Sequence, residues 1–386
     1  MNIKSFTSLR GVACLAVVGT HVWTIFDLRR LIEDRYGCGS LEEFVSNVVD
    51  RTLNGQAAVE IFFVLSGCVL ALSLQSTSRI SGTTWIKAFY VKRFFRIYPA
   101  LWASLALTLC LWPLIKVGLT SHAYSAWALD AYPAQITARS VMLSLAAIYV
   151  HLNWPMWTLR VELFYSILFP AIFVMVTNQR TRTPFMILIA LIALAPIPRN
   201  LSLHYSLAFS LGALIPSSRR MGNACYRLIG LGLVPVLMYL RVPLETSVSL
   251  KNIETLEILV AWVIVYCLFH NKKSVPLLDG RFFGYIGKIS YSVYVLHFPI
   301  VFGTAATMVA VFGTAAIEDS PLLMASLLGV LTLLLTVPLS MVANTFVEDG
   351  GNALGKRLAS GRHERPRNAS VVTGDSKEDR PFASNA

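Results

Sequence analysis

Apolar runs long enough to cross a lipid bilayer recur along almost the whole chain, near 9–27, 56–74, 97–116, 160–177, 184–198, 202–216, 224–240, 255–270, 289–312 and 321–346. A crossing helix takes about 20 mostly apolar residues, and lipid offers no partner to an open backbone. One architecture is left to such a chain: an all-α integral membrane protein, a bundle of about ten transmembrane helices. The runs near 184–198 and 202–216 are short, and only Ile197-Pro198-Arg199-Asn200 separates them. Composition closes off the soluble alternative. Hydrophobic residues make up 55% of the chain and charged residues 14%, against about 25% charged in soluble domains. A soluble interior cannot hide that much apolar surface. A disordered chain, a disulfide scaffold and a nucleic-acid-binding domain are excluded too. The net charge of +12 reads as Lys and Arg gathered in cytoplasmic loops.

Loop charge sets the number of crossings. The segment 137–151 is short, carries Arg139 and ends in His151-Leu152-Asn153-Trp154-Pro155; its length alone leaves open whether it spans or re-enters. With it left out, Arg79, Lys87, Lys92, Arg93, Arg96, Arg180, Arg182, Arg219, Arg220, Arg227, Lys272, Lys273, Arg281 and Lys288 all fall on the starting side. Counting it as a span moves Arg180, Arg182, Arg219, Arg220 and Arg227 across. The positive-inside rule therefore predicts ten spans, both termini cytoplasmic and 117–158 outside. The first outer loop is the main exception, where Arg29, Arg30, Arg35 and Arg51 are diluted by acids such as Asp27, Glu43 and Asp50.

The remaining landmarks are plainer. The six cysteines show no CxxC pair, so they read as free thiols or small apolar fillers, with no metal expected. The opening MNIKSFTSLRGVACLAVVGTHV lacks an early small-residue cleavage site and reads as an uncleaved first span. Residues 1–350 form the membrane-embedded unit, and 351–386, polar and charged, a short disordered cytoplasmic tail. Asn368 stands in a glycosylation sequon that a cytoplasmic tail would leave unused. No fixed-period repeat is visible.

Titratable side chains inside spans are costly and therefore functional candidates. Arg10 and His21, eleven residues apart on the first span, share a helix face about 16.5 Å apart along the axis; a boundary Arg and a hydrogen-bonded core His would show the same spacing. On the second span, Glu60 and Gly67 share a face near Ser66. Gly67 admits close approach by a helix or a ligand. Arg93 and Arg96 face one way at the mouth of the third span. Their forked guanidiniums suit phosphate, although snorkelling anchors would look alike. Trp157 and Glu162 enter the span near 160–177, and Tyr291, Tyr294 and His297 form a stripe in the span near 289–312. His204 and His270 lack comparable polar company in the sequence and read as structural.

Taken in order, these segments resemble the membrane-bound acyltransferase family three, over about residues 5–350. The family's Leu-Arg-Gly segment and its Arg-to-His spacing appear as Leu9-Arg10-Gly11 and His21. Its Ser-Gly-Phe segment is Ser66-Gly67, with Cys68 replacing Phe; its Arg-x-x-Arg before Tyr-Pro is Arg93, Arg96, Tyr98-Pro99. Its Trp-Ser-Leu-x-x-Glu segment is Trp157-Thr158-Leu159 and Glu162, with Leu163 where many members carry a second acid. Its late Ile-Ser-Tyr-x-x-Tyr-x-x-His segment is Ile289-Ser290-Tyr291, Tyr294 and His297.

The resemblance implies a multi-pass protein of a cell membrane, the bacterial inner membrane. It further implies an O-acyltransferase with acyl-CoA, most often acetyl-CoA, as co-substrate and a carbohydrate or glycolipid hydroxyl as acceptor. In that reading His21 is the base, and Glu162 orients the acceptor or an imidazole. Arg93 and Arg96 hold CoA phosphates, with Arg10 on the route to His21. Glu60, Ser66, Gly67, Trp157, Tyr291 and His297 become acceptor contacts or their supports, and neither metal nor nucleic acid is expected. The competing class is a transporter or flippase using the buried charges as a proton relay.

Overall fold

The computed structural model describes residues 3–77, 84–133, 135–149, 152–198, 201–220, 226–244, 247–271, 275 and 278–360. Among these the regular elements are helical; an isolated antiparallel bridge joins Phe26 and Tyr124. The helices run α1 (Ile3–Ile25), α2 (Leu28–Tyr36), α3 (Leu41–Thr52), α4 (Gly55–Thr77), α5 (Thr84–Gly118), α6 (Ala126–Asp130), α7 (Ala138–Leu145) and α8 (Trp157–Thr177). They continue as α9 (Gln179–Leu194), α10 (Ser206–Leu214), α11 (Tyr226–Tyr239), α12 (Arg241–Leu244), α13 (Leu250–His270), α14 (Arg281–Asp319), α15 (Pro321–Ala343) and α16 (Asp349–Ser360). Local chemistry starts the short ones. Asp27, Ser40, Ser125 and Thr137 each accept a hydrogen bond from a backbone N–H of the first turn of α2, α3, α6 and α7, as N-caps do.

Among the described residues, seven segments are long and apolar enough to cross a membrane: Lys4–Ile25, Leu41–Gln75, Trp85–Gly118, Trp154–Thr177, Leu250–His270, Arg281–Asp319 and Pro321–Ala359. The other expected spans coincide with α9, α10 and α11, of 16, 9 and 14 residues, shorter than the about 20 that a full crossing takes. α10 is short for a physical reason. It is flanked by 3-10 turns and is buried almost throughout, so it is a core helix surrounded by other helices.

α1 is the central element, packed on α14 and α4. Glycines permit two close crossings, of α14 on α1 and of α4 on α10. A side chain on Gly287 of α14 would collide with the Thr7 carbonyl of α1, and one on Gly67 of α4 with the Phe209 carbonyl of α10. With no hydrophobic drive between helices in lipid, such close backbone approach supplies much of the association.

Two further segments take their place from packing. α7 is only 8 residues and does not cross. It folds back against the middle of α5, where Trp102 Nε1 donates to the Leu145 carbonyl at 3.1 Å and the Tyr98 hydroxyl to the Ala146 carbonyl at 3.3 Å. Residues 351–360, placed by composition in the tail, are helical as the body of α16 and pack on α5. Residues 361–386, and with them most of the expected tail, lie outside the described residues, as do Arg79, His151, Cys225, Lys272 and Lys273.

Candidate active site

Two cavities meet inside the bundle. The first is lined by Arg10, Arg93, Arg96, Glu162, Ser66 and Tyr291 among its polar groups, with an apolar wall from α4. Two arginines in it are already partnered. Arg93 Nη2 lies 2.6 Å from Glu162 Oε1. Its Nε and Nη2 also donate to the Ser166 hydroxyl at 3.0 and 2.9 Å. Glu162 and Ser166 stand one turn apart on α8 and so face Arg93 together. The Ser66 hydroxyl donates to the same Glu162 oxygen at 3.4 Å. Arg96 Nη1 pairs with Glu348 Oε2 at 2.9 Å, and its guanidinium sits 4.9 Å from the centroid of the Tyr291 ring.

Arg10 is different. No carboxylate of the described residues lies within ion-pair distance of it, although it feels the charges of Arg96, Glu348 and Glu162. Three guanidiniums thus face two carboxylates, and one positive charge is in excess. A cavity with this balance attracts an anion.

The second cavity holds His21, Thr20, Thr24, Gln56 and three indoles, Trp127, Trp154 and Trp157. Val59 and Tyr294 line both cavities, so the two adjoin there. Asn153 sets the corner that brings the indoles in: its side-chain amide donates to the Val295 carbonyl of α14 at 3.0 Å and to Ser104 of α5. The Tyr294 hydroxyl then donates to the Pro155 carbonyl at 3.0 Å. A polar groove continues beyond, sharing Thr24 and Trp127 with the His21 cavity and lined by Asp27, Asn47, Asp50 and Arg51.

The histidines are ordered by their partners. His297 Nδ1 lies 2.7 Å from the Tyr294 carbonyl and 3.2 Å from that of Val293. Carbonyls only accept, so Nδ1 of His297 carries its proton. In the uncharged ring Nε2 is then an acceptor, and it lies 2.8 Å from His21 Nδ1. His21 must donate from Nδ1, which leaves a lone pair on its Nε2. Trp127 stacks on the His21 ring at a centroid distance of 5.7 Å and fixes its plane.

With this geometry in hand, comparison of the chain with protein families gives a match to the acyltransferase domain of acyltransferase family 3 across residues 3–344. The chain belongs to acyltransferase family 3. No curated protein and no solved structure gives a significant match. With its long apolar helices, this family 3 chain is a multi-pass membrane acyltransferase.

Most of the residues singled out by sequence converge in this family 3 bundle. Arg10, Ser66, Arg93, Arg96, Glu162 and Tyr291 share the basic cavity, while Trp157 lines the His21 cavity and His297 supports His21. Glu162 stands with Arg93, in the cavity that His21 does not line. Gly67 is at the crossing with α10. Glu60 lies elsewhere, fully buried near Glu254 and Glu257. Arg241 Nη2 and Asn54 each bind Glu257 at 2.8 Å there. His204 also has polar company after all, its Nε2 3.2 Å from Glu254; fifty positions of sequence separate the two, so no local pattern shows the pair. Sequence reasoning passed over Glu348, Ser166, Ser292, Trp127 and Trp154. Only Glu348 carried a signal, a carboxylate directly after a long apolar run.

Proposed function

We infer that this family 3 protein is an O-acyltransferase that moves an acyl group, most simply acetyl, from acyl-CoA to a hydroxyl of a sugar-containing acceptor such as a cell-surface polysaccharide. The observation that carries the reading is the junction of the two cavities: an arginine-rich one with excess positive charge adjoins, at Val59 and Tyr294, one holding an imidazole with a free lone pair. CoA phosphates suit the basic side, with Arg10, Arg93 and Arg96 as their contacts, and the apolar wall suits the pantetheine arm. Indole faces and the hydroxyls of Thr20 and Thr24 suit a sugar ring, whose flat apolar face and hydroxyl rim need both.

The step then balances without a further reactant. His21 Nε2 takes the proton of the acceptor hydroxyl as its oxygen bonds the acyl carbon. The carbon–sulfur bond of the thioester breaks, and the proton passes from His21 to the departing CoA sulfur. His297, bound at Nδ1 of His21, supports the transient imidazolium. Glu162 holds Arg93 for the donor. Ser66, Trp157 and Tyr291 shape the walls, and Gly67 lets α10 pack behind them.

We take α9, α11, and α10 with its flanking 3-10 turns, which its neighbours shield from lipid, as shortened crossings. This gives ten and keeps both termini in the cytoplasm of a bacterial inner membrane, with the basic cavity opening inward. The acceptor would then arrive from the outer side through the groove at Thr24 and Trp127. Reporter fusions are expected to read outside at residue 130 and cytoplasmic at the C-terminus; a cytoplasmic signal at 130 contradicts this orientation. The activity is tested by supplying purified membranes with acetyl-CoA and a glycan extract of the producing cells. Acceptor-dependent release of free CoA is expected. A carrier that relays protons through the same charges would release none, and that outcome would replace the enzyme reading.

A further inference from the structure

α15 ends at Ala343, and the next turn, Asn344–Glu348, is π-helical before α16 begins at Asp349. π-turns are rare in proteins and concentrate at functional sites, because the extra residue re-aims a side chain. Here the turn aims Glu348, whose side chain is 1% exposed. One carboxylate oxygen accepts from Arg96 Nη1 at 2.9 Å, and the other accepts from the Ser292 hydroxyl of α14. The Tyr291 ring covers one face of the same guanidinium. Arg96 is thus clamped at one end and on one face, while its Nε and Nη2 bond no described residue and the side chain lines the basic cavity. α16 anchors the turn: a methyl group on Gly351 would stand 2.7 Å from the Phe95 carbonyl of α5, so the helix cannot slide without losing that seat. Glu348 also lies past residue 344, where the family match stops.

We propose that Glu348 is a positioning residue for the acyl-CoA donor: the π-turn delivers a carboxylate that fixes Arg96 with its open N–H edge toward the cavity, where a CoA phosphate binds. The proposal rests on the assignment of the basic cavity to the donor. An arginine oriented before the phosphate arrives loses little further rotamer freedom on binding. Supporting residues of this kind matter because a loosely held arginine presents many geometries, of which few are productive. A mere counterion would act in the opposite direction, since removing it would free charge for the donor and tighten binding.

The two cases are separated by calorimetric titration of CoA into the purified full-length protein in detergent, with acetyl-CoA dependence of turnover measured alongside. Glu348→Gln keeps the size of the side chain and removes the charge that holds Arg96. Its Kd for CoA and KM for acetyl-CoA are expected to rise about tenfold, as for other residues that orient a ligand-binding group, with kcat nearly unchanged. Combining it with Arg96→Lys should add little, because both changes remove one interaction. Ser292→Ala alters no charge and frees one oxygen of Glu348; it should weaken CoA binding in the same direction by less, and it decides the question if Glu348→Gln does not fold. Unchanged or tighter CoA binding, or fully additive losses in the double variant, would overturn the proposal. Wild-type protein that binds no CoA would instead remove the donor assignment beneath it.

Discussion

His21→Ala is expected to lower acyl transfer by about 10²–10⁴-fold, the usual loss when a general base is removed, while CoA binding and membrane insertion stay normal. The expectation follows from the order of protons in the histidine pair. His297 is committed at Nδ1 to the Tyr294 carbonyl, 2.7 Å away. Its Nε2 is occupied by His21, so His21 Nε2 is the nitrogen of the pair left with an unshared lone pair. A hydroxyl is a poor nucleophile near neutral pH and needs a base within hydrogen-bond reach to take its proton. Alanine near the C-terminal end of α1 adds no polar group to the membrane, so protein level should hold. The measurement is turnover per folded protein, with CoA affinity as the control. Near-normal turnover would transfer the base role to His297, whose Nε2 the substitution uncovers.

Arg10→Ala is expected to raise the apparent KM for acetyl-CoA by about 10- to 100-fold, since hydrogen bonds to charged groups contribute about 1.5–3 kcal/mol and each 1.4 kcal/mol is tenfold. The charge arrangement singles this residue out. Arg93 and Arg96 each already hold a carboxylate, at 2.6 and 2.9 Å, whereas Arg10 has none within bonding distance and carries the excess charge of the cavity. An incoming phosphate gains most from the guanidinium that nothing else neutralises. Arg10→Lys should recover part of the loss, because it restores charge without the planar fork. Acceptor dependence should not change. Superimposable acetyl-CoA curves for wild type and Arg10→Ala would move the donor's anion away from α1.

The membrane class was legible because hydropathy is a property of every window of the chain. The pairing of Arg10 with His21 on one face needed only the helical repeat. Arg93, Arg96, Glu162, Tyr291 and His297 were found as ionisable or polar groups where lipid should be, and lipid makes such groups conspicuous. What those groups touch was not legible. Glu162 near the start of its span looked suited to an acceptor or an imidazole; the structure sets it against Arg93 and Ser166, because α5 and α8 cross at that level. His204 looked isolated until α13 brought Glu254 to it.

By itself the sequence determined an all-helical, membrane-embedded chain and the identity of most polar groups inside it, since both depend on composition and on a period of 3.6 residues. Only the tertiary structure decided that seven segments are long enough to cross, that α7 folds back along α5, and that α10 is a buried core helix. It alone joined His21 to His297, 276 positions apart, and Arg96 to Glu348, 252 positions apart. The reason is physical. Periodicity reports which face of a helix is polar, but the partner on the facing helix is chosen by how close the backbones come. Here that approach is set by glycines such as Gly67 and Gly287 against carbonyls far away in the chain.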